Sequence, residues 1–168
     1  MIRDRRDTLR VMTVCTGNIC RSPMAEIVLR ERFAEAGLDH VVVDSAGTSD
    51  EERGNPVDPR ARRVLERHGY VVLPHEARRV TAADLRARDL VLTATATHLH
   101  ALERLAPGEA SASRLRMLRS FDPAATGATG HLLDLADPWY GVEADFDETL
   151  SMIEAAADGI VEHVRAFG

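Results

Sequence analysis

At 168 residues the chain is long enough for one domain with an ordinary hydrophobic core. A net charge of −6 argues against a general nucleic-acid binder, and no apolar run approaches the length of a membrane span. Two cysteines, and a charged start too short for a signal peptide, predict an unexported, cytoplasmic protein with no disulfide framework.

Residues 1–8 read as a disordered tail, and 9–168 as a single folded domain. The apolar run Leu9 to Val14 predicts a short buried strand, followed by the loop Cys15-Thr-Gly-Asn-Ile-Cys-Arg-Ser-Pro23. An amphipathic helix over 24–36 comes next, with Pro23 in its first turn and Gly37 at its end. Val41 to Val43 is a second strand, and Asp58 to His68 a helix stopped by Gly69. Thr81 caps a short helix running through Arg88. Leu90 to Leu92 is a third strand, His98 to Leu105 a helix ended by Pro107-Gly108, and Arg116 to Leu118 a fourth strand. Pro123 to Asp137 is the longest segment without periodicity and reads as a mobile loop. A long helix runs from about Glu143 to Ala166. Short apolar strands alternating with helices predict an α/β fold: a central four-stranded parallel sheet covered by helices on both faces. Ligands of such sheets bind at the carboxyl ends of the strands, which is where Cys15 falls.

The loop from Cys15 to Pro23 carries the chemistry. A phosphate dianion needs many donors in a small space. A loop can aim the backbone N–H groups of Thr16, Gly17, Asn18, Ile19, Cys20, Arg21 and Ser22 inward, and the helix beneath adds its unpaired N–H groups and dipole. Gly17 and Asn18 tolerate the left-handed backbone such a nest requires. The planar fork of Arg21 can hold two phosphoryl oxygens at once. A thiol near a helix N-terminus and a cation is favoured as thiolate, the form that attacks phosphorus. A Ser22 hydroxyl could donate to that sulfur and ease its departure. No further cysteine completes a metal site with Cys15 and Cys20. The glycine pattern is neither that of a dinucleotide site nor that of a Gly-Lys-Ser/Thr loop. His98 and His100, two apart on a helix, point apart and share no metal, and the histidines other than His75 read as surface residues.

The string Cys15 to Pro23 resembles the signature of the low-molecular-weight protein tyrosine phosphatases. Asp44-Ser-Ala-Gly-Thr48, Gly54-Asn-Pro56, Asp58-Pro-Arg60, His68-Gly69, His75-Glu-Ala-Arg78 and Asp137-Pro-Trp-Tyr-Gly141 resemble further landmarks of that family in order. The resemblance implies hydrolysis of phosphotyrosine and aryl phosphates through a phosphocysteine on Cys15, with Arg21 on the transferred group and Asp137 as general acid, then base. It also implies that Ser22, Asn18, Ser45 and His75 hold the loop in shape, and that Trp139 and Tyr140 form an aromatic wall. Many relatives carry an aromatic residue on the opposite wall, where ungapped alignment from Ser45 to Pro56 puts Glu51. Cys20 is the candidate to trap an oxidised Cys15. No metal or other cofactor is expected, since the arginine and the amide nest supply the charge. Implied partners are phosphotyrosine proteins and a cognate tyrosine kinase, with no nucleic acid and no membrane. The run Arg116 to Pro123 resembles actinobacterial members more than eukaryotic ones, which suggests bacterial signalling.

Two other readings share these residues. An arsenate reductase on the same fold would need two further cysteines downstream, and none follows Cys20. A non-catalytic phosphoprotein-binding module would fit loss of the nucleophile, arginine or acid, and all three are present. One departure concerns the acid loop: Ala94-Thr95 stands where relatives commonly have an apolar residue and Asp, so a carboxylate that anchors that loop is expected to be missing.

Overall fold

Four parallel strands form one sheet in the order β2-β1-β3-β4, with β1 Leu9–Cys15, β2 Val41–Gly47, β3 Leu90–Thr93 and β4 Leu115–Met117. The computed structural model describes residues 7–108 and 113–167; residues 1–6 of the expected tail lie outside the described residues. The helices are α1 Arg21–Glu35, α2 Pro59–Arg67, α3 Ala82–Ala87, α4 Ala96–Leu105 and α5 Glu143–Arg165. Among the described residues no helix is long and apolar enough to cross a membrane.

The period of two along β1 divides the core into two layers. Val11 and Cys15 face one side, with Met24 and Phe33 of α1, Val64 of α2 and Phe146 and Ile153 of α5. Met12 and Val14 face the other, with Leu85 of α3 and Leu102 of α4. Helix α5 buries Phe146, Leu150, Ile153, Ala157, Ile160 and Val164, a stripe at three- and four-residue spacing that turns one face to the sheet layer. Since β1 lies between β2 and β3, its carboxyl end opens at the centre of the sheet's edge. Cys15 is there, in register with Gly47 of β2.

The α/β architecture matches the sequence-based expectation, and the boundaries differ for local reasons. Helix α1 begins at Arg21 rather than Met24, because the Met24 N–H already closes a turn on the Cys20 carbonyl at 3.0 Å. Helix α4 begins at Ala96, two residues before His98, because Thr95 caps it. Strand β2 extends to Gly47 because β1 pairs with it along its whole length. Leu118 leaves β4 and opens a 3-10 turn over Leu118–Phe121. The segment from Pro123 is not featureless: it holds 3-10 turns at Pro123–Ala125 and Gly130–Leu133.

Candidate active site

The loop between β1 and α1 folds back on itself around Asn18. Asn18 has φ of 59°, and its side chain bonds in three directions: Nδ2 donates to Ser22 Oγ and to Ser45 Oγ, each at 2.9 Å, and Oδ1 accepts from the Arg78 N–H at 3.0 Å. These bonds offset the cost of a left-handed non-glycine residue. His75 Nε2 donates to the Asn18 main-chain carbonyl at 2.7 Å, so this ring binds the backbone rather than the amide. Gly17 does not take a positive φ, contrary to expectation. Its lack of a side chain leaves room for Glu52, whose Cγ would lie 3.1 Å from a Cβ there. Gly47 is the stricter requirement, since a Cβ at that position would collide with the Thr16 carbonyl oxygen.

Cys15 and Arg21 are almost wholly buried, at 3% and 5% exposure, and form the floor of a cleft of about 210 Å³. Cys15 Sγ lies 3.0 Å from Ser22 Oγ. Ser22 Oγ already accepts from Asn18, so its own hydrogen can go to the sulfur or to the Ala46 carbonyl at a longer 3.4 Å. The shorter sulfur contact is the better placed. Thr13 Oγ1 donates to the Ser22 carbonyl at 2.7 Å and fixes the first turn of α1 under the sulfur. Cys20 lies in the same cleft, where burial, followed by the charge of Asp58, pushes its thiol far above the ordinary range.

Asp137 reaches the cleft from the segment that precedes α5. Its Oδ2 accepts from Arg21 Nη2 at 3.3 Å and its Oδ1 from the Trp139 N–H at 3.1 Å. Arg21 Nη1 also donates to the Leu135 carbonyl at 3.2 Å. The carboxylate expected to be missing at Ala94-Thr95 is replaced from the opposite side. Asp134 Oδ1 accepts from the Ala96 N–H at 2.8 Å, and Leu135 N–H bonds the Ala94 carbonyl at 2.8 Å. Burial opposes the charge on Asp134, but the Ala96 N–H and His131 outweigh it and hold its carboxyl below the usual range. Further along, Arg60 donates to the carbonyls of Trp139 at 3.0 Å and Gly141 at 3.3 Å. Its guanidinium lies 4.7 Å from the Phe146 ring centre and is paired with Asp58, the N-cap of α2.

The structure thus brings together Cys15, Thr16, Gly17, Ile19, Cys20, Arg21, Glu51, Asp137, Trp139 and Tyr140 along one cleft, with Asn18, Ser22, Ser45 and His75 behind its loop. Trp139 is 38% and Tyr140 94% exposed, so neither ring is turned into the core. One reading is corrected. His98 is not a surface residue: it is 4% exposed, and its Nε2 lies 2.8 Å from Thr16 Oγ1 in the loop. His100 does face solvent. Sequence reasoning named Arg60 and Arg78 within family landmarks but gave them no role, and passed over Asp134; the contacts of all three join residues far apart in the chain. The available signal for His98 was Thr95-x-x-His98, a capping-box spacing.

A buried thiol at a strand end, above a helix N-terminus and in one cleft with an arginine, defines an α/β protein whose thiol stands where donors suited to an oxyanion converge. The comparisons with known proteins agree. The family model described as low molecular weight phosphotyrosine protein phosphatase matches residues 10–167, and the chain belongs to that family. It is 50% identical over 159 residues to a low molecular weight protein-tyrosine-phosphatase of Streptomyces coelicolor, covering 94% of each chain. It is 44% identical over 159 residues to low molecular weight protein-tyrosine phosphatase A of Mycobacterium tuberculosis, covering 94% of this chain and 93% of the other. The crystal structure of a protein tyrosine phosphatase from Entamoeba histolytica, with Hepes in its active site, superposes with a TM-score of 0.84 at 26% identity. It covers 95% of this chain and 98% of that one.

Proposed function

We propose that the protein hydrolyses phosphotyrosine in proteins, and aryl phosphates, in two in-line steps. In the first, the Cys15 thiolate attacks phosphorus, the bond to the phenolic oxygen breaks, and Asp137 gives that oxygen its proton. In the second, Asp137 takes a proton from water, the water oxygen attacks phosphorus, and the P–S bond breaks to release phosphate and thiolate. Arg21 and the amides of Thr16 to Ser22 hold the three equatorial oxygens through both steps. Ser22 stabilises the departing thiolate by its hydroxyl. Asn18, Ser45 and His75 hold the loop in shape, so its donors need not reorganise during reaction. Trp139 and Tyr140 cover one side of the substrate ring, and Glu51 takes the other. Residues 9–168 act as one phosphatase domain.

The observation that carries this reading is the buried Cys15 sulfur 3.0 Å from Ser22 Oγ, on the same floor as an Arg21 that holds Asp137 at 3.3 Å. The test compares phosphotyrosine and phosphoserine peptides with wild type, Cys15→Ser and Arg21→Ala. Turnover of phosphotyrosine only, its loss in Cys15→Ser with vanadate binding retained, and loss of both in Arg21→Ala are expected. Metal-dependent hydrolysis by Cys15→Ser would overturn the thiolate mechanism. In the cell, the reading puts the protein in the cytoplasm, in bacterial signalling, opposite a cognate tyrosine kinase. Cys20 serves there as the thiol that captures an oxidised Cys15. Absence of any cysteine beyond Cys20 disfavours the arsenate reductase alternative.

A further inference from the structure

His98 is a buried imidazole that the two-step chemistry does not use. It is the third residue of α4, and its ring takes the place of the Glu or Gln side chain of a capping box. The Thr95 N–H donates to its Nδ1 at 3.2 Å, and Thr95 Oγ1 lies 2.9 Å from the same nitrogen. A main-chain N–H can only donate, so Nδ1 carries the lone pair and the neutral ring bears its proton on Nε2. Nε2 therefore donates to Thr16 Oγ1 at 2.8 Å. With that oxygen accepting, the Thr16 hydroxyl hydrogen is left for another partner.

A protonated ring would turn an Nδ1–H against the Thr95 N–H, so the cap itself selects the neutral form. The surroundings act the same way: burial first, then the charge of Arg21, push the ring down to about 4, against the opposite pull of Asp134 and Asp137. Thr16 is exposed, unlike Cys15 and Arg21 on the cleft floor, and so faces the mouth. Glu51 and Glu52 line that mouth with it. Two carboxylates there repel an anionic partner and leave a neutral carbonyl as the acceptor that fits.

We propose that His98 holds the Thr16 hydroxyl as a donor at the cleft mouth, where it binds a main-chain carbonyl of the peptide that carries the phosphotyrosine. The proposal rests on the phosphatase reading above. It makes Thr16 a residue that separates peptide substrates from bare aryl phosphates, and His98 the residue that positions it.

The experiment measures kcat and KM for a phosphotyrosine peptide and for phenyl phosphate, which has no acceptor beyond its phosphate. Thr16→Val should raise KM for the peptide relative to KM for phenyl phosphate about 3–10-fold, the worth of one neutral hydrogen bond. Thr16→Ser should restore the peptide KM. His98→Gln, which keeps the capping box but does not reach Thr16, should move the peptide KM in the same direction. The double variant Thr16→Val with His98→Gln should add nothing to Thr16→Val alone. Equal losses on both substrates, additive effects in the double variant, or an unchanged ratio in Thr16→Val would each overturn this proposal alone. A wild type that turns over neither substrate would overturn the phosphatase reading and this proposal with it.

Discussion

The neutral His98 ring predicts a specific loss of stability in mild acid. In the unfolded chain an ordinary imidazole titrates at 6.5, whereas in the native protein His98 is pushed down to about 4. Between those values the unfolded state binds a proton that the native state does not. Stability therefore rises with pH through this window and is lost as pH falls from 6.5 towards 4. At about pH 5 the unfolded ring is favoured by RT ln[(1 + 10^1.5)/(1 + 10^−1)], about 2 kcal/mol, and at about pH 7.5 by under about 0.1 kcal/mol. Urea denaturation of wild type and His98→Gln at both pH values isolates the effect, because other groups titrate in both proteins. Wild type should lose about 2 kcal/mol more than the variant on going from about pH 7.5 to about pH 5. Equal losses would mean that the native ring takes up its proton without penalty, and the tautomer argument that orients Thr16 would fail with it.

Asp137→Ala should slow hydrolysis of phosphates with poor leaving groups about 10²–10⁴-fold and those with good ones much less. Equal losses for both, in steady-state assays across a leaving-group series, would remove the proton-donor role. Peroxide should inactivate wild type reversibly and Cys20→Ser less reversibly, as judged by recovery with dithiothreitol. Burial that raises the Cys20 thiol makes this capture slow near neutral pH and faster in alkali, and identical recovery in the two proteins would exclude it. Glu51→Trp should lower KM for aryl phosphates with little change in kcat and weaken a preference for Lys or Arg beside the phosphotyrosine. Unchanged KM and preference would leave ring recognition to Trp139 and Tyr140.

The grouping of Cys15, the loop after it and Arg21 in one cleft was legible in the sequence because one uninterrupted string between β1 and α1 supplies them all. The order of strands and helices was legible for a similar reason, since the apolar runs are short and the helices between them end at Gly37, Gly69 and Pro107-Gly108. What escaped were contacts across the chain made by residues with ordinary local explanations. Arg60 stands in the sequence only as the end of the Asp58-Pro-Arg60 landmark, yet it spans to Trp139 and Gly141. His98 reads as a surface residue pointing away from His100, and is drawn inward because its ring completes the cap of α4. A cap motif reveals where a helix starts but not which of its atoms face the next layer. The side-chain role of Thr16 depends on that second fact.

The anchoring of Asp137 shows why such contacts matter to the reaction. A general acid is useful only when held near the leaving oxygen, and the segment that carries Asp137 has no regular secondary structure of its own there. Other elements hold it instead, among them Arg21 at the foot of α1 through Leu135 and Asp137, the N-terminus of α4 through Asp134, and Arg60 of α2 through Trp139 and Gly141. The first tether is the arginine assigned to the phosphoryl group, so substrate binding and acid placement draw on one side chain. The other two are independent of the phosphate. In the proposed mechanism they keep Asp137 in place when Arg21 exchanges its carboxylate partner for a phosphoryl oxygen, so that the carboxyl is still near the leaving oxygen when the P–O bond breaks.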